Sequence, residues 1–360
     1  MTGMRVLVTG HLGYIGTVLT PMLLDLGYDV VGLDTDLFRG CTFDGELAQV
    51  PNIGKDVRDV EEEDLRGLDA VIHLAGLSND PLGDFRPELT ADINHRASVR
   101  LAALAKAAGV SRFLFASSCS NYGASGADFL DETAPFKPVT PYGESKVAVE
   151  RGVSKLADET FSPTFLRAST AYGVSPRLRF DLVVNNLTAW AYATGRVHIK
   201  SDGTPWRPIV HVSDIARAYE AVLATDRTIV HNRAFNVGTT TENYQVRDLA
   251  NLVAEVVPGC RVEFAADAGP DKRCYRVDCN RIARELHAFK PQWTARRGIE
   301  ELYESYQRVG VTLDDFEGER FKRIAHVQKL IADGHIGEDL RWRPAPSHRP
   351  SKEETVSPSI

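Results

Sequence analysis

The chain lacks the features that would mark several classes of protein. Its 360 residues include five cysteines, at positions 41, 119, 260, 274 and 279, an odd number with no C-x-x-C pair. A disulfide framework or a zinc site is therefore not expected, no metal is assigned, and a reducing cytoplasm is the expected compartment. No apolar run approaches the roughly 18–20 residues that a membrane-spanning helix needs. The strand-like Arg5–Val8 begins so close to Met1 that no signal peptide is expected. Positive charge is also short: 42 lysines and arginines face 49 aspartates and glutamates, a net charge of −7. A nucleic-acid binder would show a basic face instead. No internal repeat is visible. What is present is ordinary globular composition, 43% hydrophobic and 25% charged, enough for a sizeable core.

The length suggests about two lobes. In the first 120 residues, strand-length apolar runs at Val6–Val8, Val30–Leu33, Val71–Leu74 and Phe113–Phe115 alternate with helix-like stretches. One of these, Leu101–Ala108, is rich in strong helix formers and stops at Gly109. Such alternation predicts an α/β fold, a doubly wound parallel sheet with right-handed crossovers. From about Ala171 the connections lengthen and prolines appear at 176, 205 and 208. The expected division is a dinucleotide domain over 1–172, a smaller and mainly substrate-binding C-terminal lobe over 173–310, and a helix with a mobile tail over 311–360. A strand and helix around 208–225 are expected to return to the main sheet. The tail helix is read from an apolar stripe between Leu313 and Ile331, and its expected role is a cover or an oligomer contact.

The first strand runs into Thr9-Gly10-His11-Leu12-Gly13-Tyr14-Ile15-Gly16, followed by a helix-like segment. Glycines at that spacing permit a tight turn and let backbone N–H groups approach a pyrophosphate at a helix N-terminus. Gly10, Gly13, Tyr14, Ile15 and Gly16 are thus candidate cofactor contacts. Asp34 ends the second strand, 18 residues after Gly16, near the spacing at which a carboxylate meets a ribose 2′-hydroxyl. A carboxylate there repels a 2′-phosphate and favours NAD over NADP. Asp56, with Val57, follows the third strand and is placed to meet the adenine amino group. Leu74-Ala75-Gly76 closes the fourth strand with small residues, as needed where backbone passes close to a cofactor. His73 reads as a satisfied near-core histidine.

Tyr142 and Lys146 lie at i and i+4, neighbours on one helix face, with Pro141 suited to the helix start. They follow the fifth strand and the Ser117-Ser118-Cys119-Ser120 segment at its C-terminal end, where doubly wound sheets bind ligands. Taking a hydride from a carbinol carbon requires that the hydroxyl proton leave too. A free phenol, with a pKa near 10, is a poor base at neutral pH. A lysine ammonium about 5 Å away contributes roughly 3 kcal/mol toward the phenolate at an effective dielectric near 20. Ser118 is placed to hydrogen-bond the same substrate oxygen.

Together, Thr9–Gly16, Asp34, His73–Gly76, Ser117–Gly123, Pro141–Lys146 and Gly203–Val212 resemble the extended short-chain dehydrogenase/reductases, in their nucleotide-sugar epimerase and dehydratase branch. The resemblance covers about residues 4–305. It implies a Rossmann sheet, bound NAD, a nucleotide-diphosphate sugar substrate, and a homodimer formed through a helical face. By resemblance Ser118, Tyr142 and Lys146 are catalytic, Tyr142 as acid/base and Lys146 also on the nicotinamide ribose, and Asn94 is the buried asparagine near the cofactor. Asn186, Arg207 and Arg273 would meet the diphosphate. Ser78, in the polar segment after the fourth strand, is a candidate sugar contact.

The branch's 4,6-dehydratases carry an Asp-Glu pair after the catalytic Ser/Thr. This chain has Cys119 and Ser120 there, which argues against dehydration and leaves them as candidate substrate contacts. Thr170 stands where the family often has Asn. The expected function is an NAD-dependent nucleotide-sugar epimerase acting through a transient 4-keto sugar, with a nucleotide-sugar 4-ketoreductase as the alternative.

Overall fold

The structure, a computed structural model, describes residues 3–78, 86–124, 128–269 and 274–343. Seven strands form one parallel sheet: β1 (Arg5–Thr9), β2 (Asp29–Leu33), β3 (Asn52–Ile53), β4 (Ala70–His73), β5 (Arg112–Ser118), β6 (Ser162–Ala168) and β7 (Arg233–Val237). Their order is β7-β6-β5-β4-β1-β2-β3. Chain order reverses between β1 and β4, and this switch point opens a crevice beyond the carboxyl ends of the strands.

The strand sequences show why the sheet is buried on both sides. Val6, Leu7 and Val8 are consecutive and none is exposed, so alternate side chains enter two different cores. On one face, Val6 and Val8 pack with Leu19 and Leu23 of the helix Gly16–Asp25 and with Ile215, Tyr219 and Val222 of the helix Val212–Ala224. On the other face, Leu7 packs with Leu101 and Ala105 of the helix Ala97–Ala107 and with Val149 and Val153 of the helix Pro141–Ser154. A third core joins the helices Val183–Thr194, Val246–Val256 and Ala295–Val309. No helix among the described residues is long and apolar enough to cross a membrane.

Two expectations about the later chain are corrected. The strand expected to return to the main sheet, Trp206–His211, instead pairs in parallel with Thr170–Tyr172 and antiparallel with Asn243–Gln245 in a separate sheet. The helix that follows it does pack on the main sheet, whose last strand is β7. The reason is a break after β6 at Ser169: the continuing strand leaves the main sheet and carries Trp206–His211 with it. The tail stripe between Leu313 and Ile331 is also not one helix. It divides into Leu313–Glu317 and Arg323–Ala332. Gly318 leaves the first piece in an extended conformation, and Phe316 and Phe321 can both then reach Phe180. The tail expected to be mobile begins after Arg341, and its residues 344–360 lie outside the described residues.

Candidate active site

The glycine turn is held by backbone. Gly10 N–H donates to Leu33 O at 2.8 Å, Gly13 N–H to Gly10 O at 3.0 Å and Thr17 N–H to Gly13 O at 3.0 Å. Gly10 has φ +73°, and a Cβ there would sit 2.8 Å from Ala75 N. A Cβ on Gly16 would collide with Gly10 O and His11. The turn is thus closed to any side chain at 10 or 16, and the helix Gly16–Asp25 starts directly behind it. Gly10, Gly13, Tyr14, Ile15, Gly16, Asp34, Asp56, Val57, Leu74, Ala75, Gly76 and Ser78, all singled out from the sequence, line one cleft above the switch point.

The β4 side of this cleft is fixed by a directional chain of hydrogen bonds. Ala75 N–H donates to Thr9 Oγ1 at 3.2 Å, and Ser98 Oγ donates to Asn94 O at 2.6 Å. Thr9 Oγ1 therefore donates to His73 Nδ1, and His73 Nε2–H to Ser98 Oγ, each at 2.7 Å. Burial pushes the His73 imidazole down to about 3, so it stays neutral. His73 is a structural link, as its reading from the sequence has it.

Three expected contacts take a different part. Asn94 gives both amide atoms to protein: Oδ1 accepts from Leu77 N at 2.7 Å, and Nδ2 donates to Leu77 O at 2.9 Å and to Ser145 Oγ at 3.3 Å. It clamps the loop after β4 to the Tyr142 helix. Asp56 lines the cleft but accepts from Arg58 Nε at 2.9 Å and Nη2 at 2.7 Å. Burial alone would raise its carboxyl, yet the Arg58 fork outweighs burial and holds it low. Cys119 is the clearest departure. It is fully buried, its thiol donates to Arg167 O at 3.1 Å, and burial pushes its pKa up. It faces the core and cannot be a substrate contact.

Asp34 accepts from Leu12 N at 3.0 Å and from Asp36 N at 2.8 Å, which aims its carboxylate at the end of β2. Burial raises its pKa.

The helix Pro141–Ser154 begins where the sequence expects it. Thr140 caps it by accepting from Gly143 N at 3.2 Å, and Pro141 takes the first turn. This start sets Tyr142, Lys146 and Glu150 along one stripe. Lys146 Nζ donates to Ala116 O of β5 at 2.7 Å and lies 5.5 Å from the centroid of the Tyr142 ring. Burial pushes the ammonium down to about 8, opposed by the charge of Glu150. Ser118 ends β5, where its Oγ accepts from Ser120 N at 3.1 Å and from Ser120 Oγ at 2.8 Å. Ser118 is thereby fixed at the strand end by Ser120.

Among the expected diphosphate contacts, Asn186 is half-buried on the helix Val183–Thr194, whereas its neighbour Asn185 is fully buried and bonds Gly173 and Arg179. Arg207 is buried in the strand Trp206–His211, with Nη1 donating to Trp206 O at 2.9 Å. Thr170 is half-buried in the short strand beside Ala171, which lines the cleft. Arg273 lies outside the described residues.

The sequence reading missed Arg179 and Arg323, which both line the cleft. Arg179 donates to Ser78 Oγ at 3.1 Å and pairs with Asp181 at 2.7 Å. Its only local signal is the alternation Arg177-Leu178-Arg179-Phe180, where a charged residue sits in an apolar register.

A glycine turn that excludes side chains, a carboxylate at the end of β2 and a small-residue β4 end fit a dinucleotide. Comparison with known proteins agrees. The UDP-glucose 4-epimerase of Mycolicibacterium smegmatis is 30% identical over 315 residues, 84% of this chain and 99% of that one. MoeE5, solved with UDP-glucuronic acid and NAD, matches with a TM-score of 0.73 and 29% identity over 84% of this chain and 99% of that one. The NAD-dependent NDP-hexosamine 5,6-dehydratase TunA matches with a TM-score of 0.75 and 25% identity, over 86% of this chain and 99% of that one. The model of the NAD-dependent epimerase/dehydratase family matches residues 6–238. The chain belongs to that family, and it is an NAD-dependent enzyme.

Proposed function

We propose that the enzyme is a nucleotide-sugar epimerase that works through a transient 4-keto sugar, with Tyr142 as acid/base. The observation that carries this reading is the buried Lys146 ammonium, tied to β5 and 5.5 Å from the Tyr142 ring. An ammonium about 5 Å from a phenolate oxygen favours the phenolate by roughly 3 kcal/mol at an effective dielectric near 20. Tyr142 then takes the O4 proton, Ser118 holds the same oxygen, and Tyr142 returns the proton after the ketone has turned. NAD, when bound, supplies reversible hydride acceptance at the sugar carbon. The segment after Ser118 supports epimerisation over elimination: Cys119 faces the core and Ser120 is engaged with Ser118, so no carboxylate pair stands there.

A panel of UDP-, dTDP- and GDP-sugars tests the proposal. The expected result is interconversion of C4 epimers with no net change in cofactor absorbance. Stoichiometric oxidation of reduced cofactor would mark a 4-ketoreductase, and an unsaturated or deoxy-keto product would mark a dehydratase.

The state of Lys146 also predicts a pH response. Its folded pKa of about 8 lies below the ordinary 10.5, so above pH 8 the ammonium and its pull on Tyr142 fade. Turnover should fall on an alkaline limb near pH 8, and a profile level to pH 10 would contradict the assignment. Stability moves the other way. Between 8 and 10.5 the unfolded chain holds the extra proton, so this residue's contribution to stability rises with pH across that window.

A further inference from the structure

Most of the cleft's charged groups are already matched. Asp36 pairs with Arg177 at 2.9 Å, Asp56 with Arg58 at 2.7 Å, Arg179 with Asp181 at 2.7 Å, and Lys55 with Asp64 at 2.8 Å. Arg323 differs. It comes from the second piece of the tail helix, lines the same cleft, and is only 4% exposed. Its Nη2 donates to Arg177 O at 3.0 Å, and its guanidinium lies 3.7 Å from the centroid of the Phe38 ring. Its Nη1 is buried with no hydrogen-bond partner, and Arg323 forms no ion pair among the described residues. A desolvated guanidinium nitrogen with nothing to donate to is costly unless an anion arrives.

The segment that carries Arg323 is fastened to the loop that follows Asp34. Trp342 Nε1–H donates to Thr35 O at 2.7 Å, His326 Nε2–H to Leu37 O at 3.2 Å and Arg320 Nη2 to Thr42 O at 3.1 Å. Arg58 Nη2 also donates to Asp339 O at 2.9 Å, and Leu340 lines the cleft as well. This segment therefore forms part of the wall of the cleft that the glycine turn also lines, a turn whose N–H groups suit a pyrophosphate.

We infer that residues 313–343 form a clasp over the dinucleotide, and that Arg323 is its anion-binding residue, donating through Nη1 to the diphosphate of bound NAD. The inference rests on reading the cleft as the dinucleotide site and is independent of the sugar chemistry. A guanidinium suits the task because its planar fork can bond protein on one side and a phosphate oxygen on the other. The clasp closes over NAD and slows its exchange, which suits a reaction that regenerates its cofactor each cycle.

The experiment is calorimetric titration of the full chain, freed of nucleotide, with NAD, ADP and adenosine. Arg323→Gln should weaken NAD and ADP by about tenfold or more while leaving adenosine within about twofold, since only the first two carry the diphosphate. Arg323→Lys keeps the charge without the fork and should fall between the two, which also serves if the Gln variant does not fold. Equal weakening of all three ligands would make Arg323 a mere wall residue and overturn the inference. Unchanged NAD and ADP affinity would overturn it too. If the parent protein bound none of the three, the cleft reading itself would fall, and the inference with it.

Discussion

Replacing Tyr142 with phenylalanine is expected to lower turnover by about 10²–10⁴-fold, the usual range for losing a positioned acid/base. NAD affinity should stay close to that of the parent, because the glycine turn, Asp34 and the β4 end that line the cleft are untouched. In the proposed mechanism the phenol acts through its hydroxyl alone. Phenylalanine keeps the ring beside Lys146 and the cap at Thr140, so the helix should start as before. Steady-state kinetics with tritium-labelled or chromatographically separated C4 epimers would measure the loss. Retained turnover would take Tyr142 out of the mechanism and leave the Lys146 ammonium without a purpose at the site.

The largest effect on stability is expected at Glu150, two turns along the same stripe. Its carboxylate accepts from Arg167 Nε at 3.0 Å and Nη2 at 2.7 Å, and from Asn121 Nδ2 at 3.0 Å, and it also accepts from Ser117 Oγ. Both members of the ion pair are buried, each side chain 6% exposed. Glu150→Ala strands the Arg167 guanidinium in the core and should cost about 3–5 kcal/mol by denaturant unfolding. Removing both charges together, as Glu150→Leu with Arg167→Met, should cost much less than the two single changes summed. Strict additivity would mean that the pair contributes nothing as a pair.

On the proposed mechanism Glu150 also reaches the chemistry. Its charge supports the Lys146 ammonium against burial, so the milder Glu150→Gln should shift the alkaline limb of turnover below that of the parent. On the proposed mechanism, the buried pair thus serves the fold and the tuning of the Tyr142–Lys146 couple at once.

Much of the site was legible because its signals are short in sequence. The turn Gly10–Gly16 lies between a strand and a helix, and Asp34 ends the next strand. Thr140-Pro141 starts the helix that spaces Tyr142 from Lys146. Each of these depends on backbone geometry within about twenty residues, where residue type and spacing constrain the outcome directly. His73 was legible for the same reason: it sits in an apolar strand whose burial could be anticipated. Cys119 was not, because its direction is set by the short turn Cys119–Tyr122, which rotates it from the strand end toward Arg167.

By itself, the sequence determined the parallel sheet, the dinucleotide turn and the Tyr–Lys couple, since local periodicity and glycine, proline and capping chemistry specify each of them. Only the tertiary structure decided the rest. It chose β7 as the last strand of the sheet, committed the side chain of Asn94 to Leu77 and Ser145, and brought Arg179 and Arg323 to the cleft wall. Arg179 meets Ser78 across 101 residues of chain and Arg323 meets Arg177 across 146, and no local pattern records where a distant guanidinium will come to rest.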